Sequence, residues 1–83
     1  MTSSHITIKF LSANDVAVFD RVAEDVFDYP VRLDLAAEFL HDPRHHIAVA
    51  LDGGVVVGMA SAVHYVHPDK PAQLFINEVG VAP

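Results

Sequence analysis

The stretch from residue 47 to residue 57 most narrows what this chain can fold into. Ile47-Ala48-Val49-Ala50-Leu51 is apolar at every position, Asp52-Gly53-Gly54 interrupts it, and Val55-Val56-Val57 resumes. An unbroken apolar run of this length suits a strand covered on both faces. Glycine reaches positive φ without steric cost, so Asp-Gly-Gly between two such runs predicts a tight hairpin. The return strand can continue as far as Val66.

The neighbouring segments supply partners for that hairpin. Residues 5–10 alternate, with Ile6 and Ile8 on one side and Thr7 and Lys9 on the other, a period of two that reads as a strand. Ser12-Ala13-Asn14-Asp15 is a capping-box variant with Asp in place of Glu. Val16, Phe19, Val22, Ala23 and Val26 follow at helical spacing, opposite Asp20, Arg21, Glu24 and Asp25. An amphipathic helix is therefore expected up to Tyr29-Pro30. A shorter helix is expected over residues 32–41, with Leu33, Ala36, Ala37 and Leu40 as its apolar stripe and Pro43 blocking extension. Residues 67–71, His-Pro-Asp-Lys-Pro, form a polar connection, and residues 73–81 are again strand-like.

The expected order is β-α-α-β-β-β, a mixed α/β (α+β) single domain with a largely antiparallel four-stranded sheet and helices packed against it. Its last strand is apolar and has no strand after it. The backbone donors and acceptors on its far side would form an exposed edge, which proteins normally cover or blunt. Either further chain or a second copy of this one would pair there.

Composition removes several classes of function. The formal net charge of −6, with only five Lys and Arg, argues against nucleic acid, because phosphate binding needs clustered basic residues. There is no cysteine, which excludes disulfides, thiolate chemistry and cysteine-based zinc sites. The start, Met1-Thr2-Ser3-Ser4-His5, lacks a leader signature. The longest apolar run is too short to span a bilayer, so no membrane role and a cytoplasmic location are the default expectations. An acidic chain mildly favours a cationic small-molecule partner.

Histidines offer two candidate ligand sets, His64-x-x-His67-x-Asp69 and His41 with His45 and His46. Neither has the spacing of a helical zinc motif, and no metal site is assigned. Ser61, His64 and Asp69 could be written as a triad, but no nucleophile elbow or oxyanion loop accompanies them. Tyr29 and Tyr65 could touch a substrate, though packing with a wet hydroxyl is the commoner role of tyrosine.

Residues 39–58, Phe-Leu-His-Asp-Pro-Arg-His-His-Ile-Ala-Val-Ala-Leu-Asp-Gly-Gly-Val-Val-Val-Gly, resemble the second helix and first hairpin of GNAT acetyltransferases. Phe75-Ile76-Asn77-Glu78-Val79-Gly80-Val81-Ala82-Pro83 resembles the family's fourth strand, an apolar start and an acidic residue followed by Val-x-Val-x-Pro. The match is nearest to the branch that includes aminoglycoside N-acetyltransferases. The resemblance implies the N-terminal half of an acyl-CoA N-acyltransferase fold, with acetyl-CoA as cofactor and the primary amine of a small molecule as acceptor.

By the same resemblance, Glu78 would be the base that takes a proton from the attacking amine. On the residues alone, Glu78 is equally a solvated strand-end carboxylate. The main chain of Val79, Gly80 and Val81 would pair with the cofactor's pantetheine arm as an added strand pairs with an edge. Gly80, a glycine inside a strand, marks a bulge or a close backbone approach. The family's pyrophosphate signature, Arg/Gln-x-x-Gly-x-Gly/Ala, would begin within a few residues of Pro83 and is not among the 83 residues. The expectation is a truncated domain, little active alone. The alternative is a non-catalytic remnant that associates with itself, as a dimer or other homo-oligomer, through the last strand.

Overall fold

The structure, a computed structural model, describes residues 5–83. The leader reading rests on residues 1–4, which lie outside the described residues. The chain forms β1 (Ile6–Phe10), a 3-10 helix (Ala13–Asp20), α1 (Leu33–His41), β2 (His45–Asp52), β3 (Val55–Tyr65) and β4 (Gln73–Val81). The four strands make one antiparallel sheet in the order β1-β2-β3-β4, in agreement with the sequence pattern. The β2–β3 hairpin turns at Gly53 and Gly54, whose φ values of +56° and +82° are the left-handed geometry glycine tolerates.

The first helix differs from expectation. The Ser12 cap forms: the Asp15 carboxylate accepts the Ser12 N–H at 2.8 Å and its hydroxyl at 3.0 Å. It also pairs with Lys9 at 3.2 Å. These partners, the Ser12 N–H foremost, hold the Asp15 carboxyl below its ordinary pKa. Beyond the cap the chain forms a 3-10 helix ending at Asp20 rather than an α-helix running up to Tyr29-Pro30. Val16, Val18, Asn14, Asp15 and Asp20 are all weak helix formers.

A stronger competitor for the backbone then appears. Val56 donates its N–H to the Arg21 carbonyl at 2.9 Å and accepts the Ala23 N–H at 2.8 Å. Val22 thereby bridges to Val56 in parallel. Residues 21–23 are captured by the sheet, and helical spacing of their apolar side chains records burial, not helix. Phe19 and Val26 are buried as that spacing implied.

The core lies on one face of the sheet. Phe19, Val26, Ala36, Leu40, Ile47, Val49, Val56 and Met59 form it, with α1 and the 3-10 helix as the covering layer. Val49 and Val56 are fully buried, each contributing roughly 1.5–3 kcal/mol of transfer free energy. The opposite face carries Ile6, Ile8 and Phe10 beside Ala48, Ala50, Ala60, Val79 and Val81. Its rim is exposed, with Phe10 at 78% and Val81 at 70%.

Candidate active site

β4 is shaped by two irregularities. Ser61 pairs with Glu78 but Ala62 pairs with Ile76, so Asn77 is an extra residue and a bulge. The bulge divides the strand into residues 73–76 and residues 78–81, and it puts Glu78 on the core-facing side beside Ser61. Directly opposed residues on one face have Cβ atoms roughly 4.5–5.5 Å apart. The second irregularity is Gly80. A Cβ there would collide with the Val26 carbonyl oxygen and lie 2.9 Å from its carbon. Of the two meanings a strand glycine can have, this one is the close approach; the bulge is at Asn77.

Backbone direction follows from one bond. Ala82 donates its N–H to the Val57 carbonyl at 2.8 Å. Directions alternate along a strand, so Glu78 and Gly80 also turn toward β3, while Val79 and Val81 aim N–H and C=O outward. Outward is an edge with no strand beside it among the described residues.

A cleft of about 540 Å³ opens between α1, the 27–32 loop and the core-facing side of the sheet. Phe19, Ile47 and Ser61 form its buried floor, Phe27 and Phe39 its half-buried walls, and Glu78 its end next to β4. Phe19 and Phe27 meet edge to face, with ring centroids 6.1 Å apart. Ser61 is the buried polar residue of the described core. Arg32 also lines the cleft, but its guanidinium is engaged by Asp34 at 2.8 and 3.2 Å. That pairing holds the Asp34 carboxyl below its ordinary pKa. A second groove of about 460 Å³ lies along residues 19–31, with Asp20, Glu24, Asp25 and Asp28 among its lining. It includes no β4 residue.

The sequence candidates therefore sort by geometry. Glu78 stands in the cleft, with Val79 and Val81 on the adjoining edge. Ser61 and His64 lie on opposite faces of β3, three positions apart in a strand, so the paper triad does not assemble. His46 and His64 meet at 2.8 Å, while His67 bonds Gln73 at 2.9 Å and His41 bonds the Ala37 carbonyl at 2.7 Å. His45 stacks on Phe39 with centroids 4.8 Å apart. No three potential metal-ligating side chains converge among the described residues. Tyr29 stands at the mouth of the cleft, and Tyr65 packs against Phe75.

Sequence reading missed Ser61 as a lining residue and missed the aromatic walls. The signal for Ser61 was present: one hydroxyl in the otherwise apolar run Val55–Val63, in phase with Met59 and Val63. No helix among the described residues is long and apolar enough to cross a membrane.

No protein-family model matches this sequence. No characterised protein matches it by sequence. Solved structures do match by fold. An aminoglycoside acetyltransferase from an uncultured soil metagenomic sample, in complex with sisomicin, superposes with a TM-score of 0.67 at 19% identity, over 93% of this chain and 56% of that one. Aminoglycoside N-acetyltransferase AAC(6')-Iy in complex with CoA gives 0.65 at 20% identity, over 99% and 59%. Ribosomal-protein-alanine N-acetyltransferase from Brucella melitensis biovar Abortus 2308 gives 0.65 at 16%, over 94% and 57%. The chain thus spans somewhat more than half the length of each. At 16–20% identity it is the fold alone that is shared, and the described residues have the fold of somewhat more than half of each of these N-acetyltransferases.

Proposed function

We propose that this chain carries the acyl-binding strand and the acceptor cleft of an acetyl-CoA-dependent N-acetyltransferase that acts on the primary amine of a small molecule. The observation that carries this reading is the adjacency at β4. Glu78 turns into the cleft, while the next residue, Val79, opens its N–H and C=O to the unpaired edge. A base and an acyl-carrying edge thus meet within one residue of each other.

The residues fit the cofactor's arm. Pantetheine carries two amides, and the outward groups of Val79 and Val81 can pair with them as an added strand would. Gly80, between them, lets β4 pass against the Val26 backbone, so these two residues stand beside the cleft. Acetyl-CoA supplies an activated acyl thioester, whose C–S bond breaks as the amine's N–C bond forms. Glu78 takes the proton the ammonium must release before its nitrogen can attack. Ser61, paired with Glu78 across the strands, orients that carboxylate or the incoming amine.

Sisomicin and CoA belong to the neighbours whose structures hold them. For this chain they support a small-molecule amine and a CoA thioester as the partners to try first. All four glycines are accounted for by the hairpin and two strand positions. These residues contain no glycine-rich anion loop, so what they offer the cofactor is a partner for its arm. Calorimetric titration should find acetyl-pantetheine binding within about threefold of acetyl-CoA, since strand-edge pairing reads only the shared arm. Tight binding that requires the adenosine diphosphate end, or robust turnover by this chain alone, would overturn this description.

One observation favours a second reading. Leu74, Ile76, Val79 and Val81 are exposed on an edge strand, an arrangement that invites pairing with another chain. In that reading the chain is a non-catalytic fold that associates with itself through β4. A monomeric mass across micromolar concentrations, with cooperative unfolding, would rule it out.

A further inference from the structure

The chemistry of the cleft says what kind of amine it takes. The chain has five Phe and two Tyr, and four of these seven, Phe19, Phe27, Tyr29 and Phe39, line this one cleft. Ile47 and Leu35 extend the apolar lining. Polar groups are few and confined. Glu78 and Ser61 lie together at the β4 end, Asp28 is exposed, and Arg32 is already occupied by Asp34. A volume of about 540 Å³ is the size of site that encloses most of a small ligand.

We infer that the acceptor is a primary amine carrying a compact aromatic or aliphatic ring, not a polyhydroxylated polycation. This inference rests on the reading of Glu78 as the amine-facing base. The ammonium sits at Glu78, beside the edge where the thioester would lie. The ring sits on Phe19 and between Phe27 and Phe39, in the edge or offset contacts that aromatic pairs prefer. Each sugar hydroxyl brought into these walls would lose its water without gaining a partner, and unpaired buried polar groups discriminate strongly against a ligand. Repeated ammonium groups fare no better, because Glu78 and Asp28 are the only carboxylates among the described residues that line the cleft. The groove along residues 19–31 has the acidic side chains a polycation would need; it shares Phe19 and residues 27–31 with the cleft but includes neither Glu78 nor any other β4 residue.

The test needs no acyl donor, so it separates acceptor binding from acetyl transfer. The purified isotope-labelled chain is titrated by NMR with phenethylamine, propylamine, 2-phenylethanol and tobramycin. Phenethylamine is expected to bind about tenfold or more tightly than propylamine, the gain that ring burial alone provides. Its shifts should fall on the Phe19, Phe27 and Phe39 rings and on the Glu78 amide. 2-Phenylethanol and the isosteric exposed-site variant Glu78→Gln should each weaken binding several-fold, with the spectrum otherwise unchanged. Tobramycin binding more tightly than phenethylamine in this cleft, or propylamine binding equally well, overturns the ring-bearing acceptor and leaves the role of Glu78 standing. Undiminished phenethylamine binding by Glu78→Gln overturns the placement of the ammonium, and with it the reading of Glu78 as the base.

Discussion

Replacing Gly80 by alanine tests the packing that sets the site beside β4. The added methyl meets main chain: the carbonyl of Val26, a residue only 2% exposed. No side-chain rotation relieves that clash, so the 23–28 segment must lift off the sheet. Uncovering Val26 costs roughly 1.5–3 kcal/mol. Loosening the edge-to-face contact of Phe27 with Phe19 adds about 0.5–1.5 kcal/mol. We expect a loss of about 3 kcal/mol, a large share of the roughly 4–12 kcal/mol a domain of this length commands. Gly58 is the control, because a Cβ there meets Ala50 Cβ and the Gly80 carbonyl at an ordinary 3.5 Å. Its substitution by alanine should be neutral or stabilise by about 0.4–1 kcal/mol through the unfolded chain. In urea denaturation, Gly80→Ala should lower the midpoint by roughly 1–3 M at unchanged slope, while Gly58→Ala leaves it in place or raises it. Equal midpoints for the two variants would show that the 23–28 segment does not cross β4 at Gly80.

Other contacts carry their own expected outcomes. Asp42 accepts hydrogen bonds from the Arg44 guanidinium at 3.2 and 3.3 Å and from its N–H at 2.9 Å, and these lower its pKa from 3.8 to about 2. A depressed carboxyl pKa stabilises the fold above the unfolded value and loses that contribution as pH falls through the folded one. NMR titration should therefore place the Asp42 midpoint near 2, and Arg44→Ala should return it toward 3.8. Val56→Ala removes a fully buried side chain at the residue that holds both β2 and the 21–23 segment. A loss of about 2 kcal/mol in thermal or urea unfolding is expected from transfer plus cavity. Gly53→Ala, at a φ of +56°, should cost about 1 kcal/mol by the same measurements, since the space around it is open and only the backbone is strained.

Much of the fold was legible because it is locally encoded. Asp52-Gly53-Gly54 states its own turn, the apolar run of residues 47–51 states burial, and Pro43 states where α1 must stop. The first helix was not legible, for a physical reason. A period of 3.6 reports which side chains face the core, and Phe19 and Val26 do, but it does not report which backbone groups find partners elsewhere. The β3 bulge at Val57 leaves Val56 free to bond Arg21 and Ala23, and nothing within residues 12–29 announces that. Glu78 was visible as an acidic residue before Val-x-Val. The cleft it faces was not, because its walls come from residues 19, 27–29, 39 and 61, which only the tertiary fold brings together.

The central claim is that the outward backbone of Val79 and Val81 holds an acyl-pantetheine arm beside Glu78. Amide chemical-shift mapping of the labelled chain with acetyl-pantetheine tests it directly. The largest shifts should fall on the Val79 and Val81 N–H groups, with a smaller one at Glu78 and none along β1, the sheet's other edge. Shifts centred on β1 or on the groove along residues 19–31, or none on β4 at saturating ligand, would contradict it.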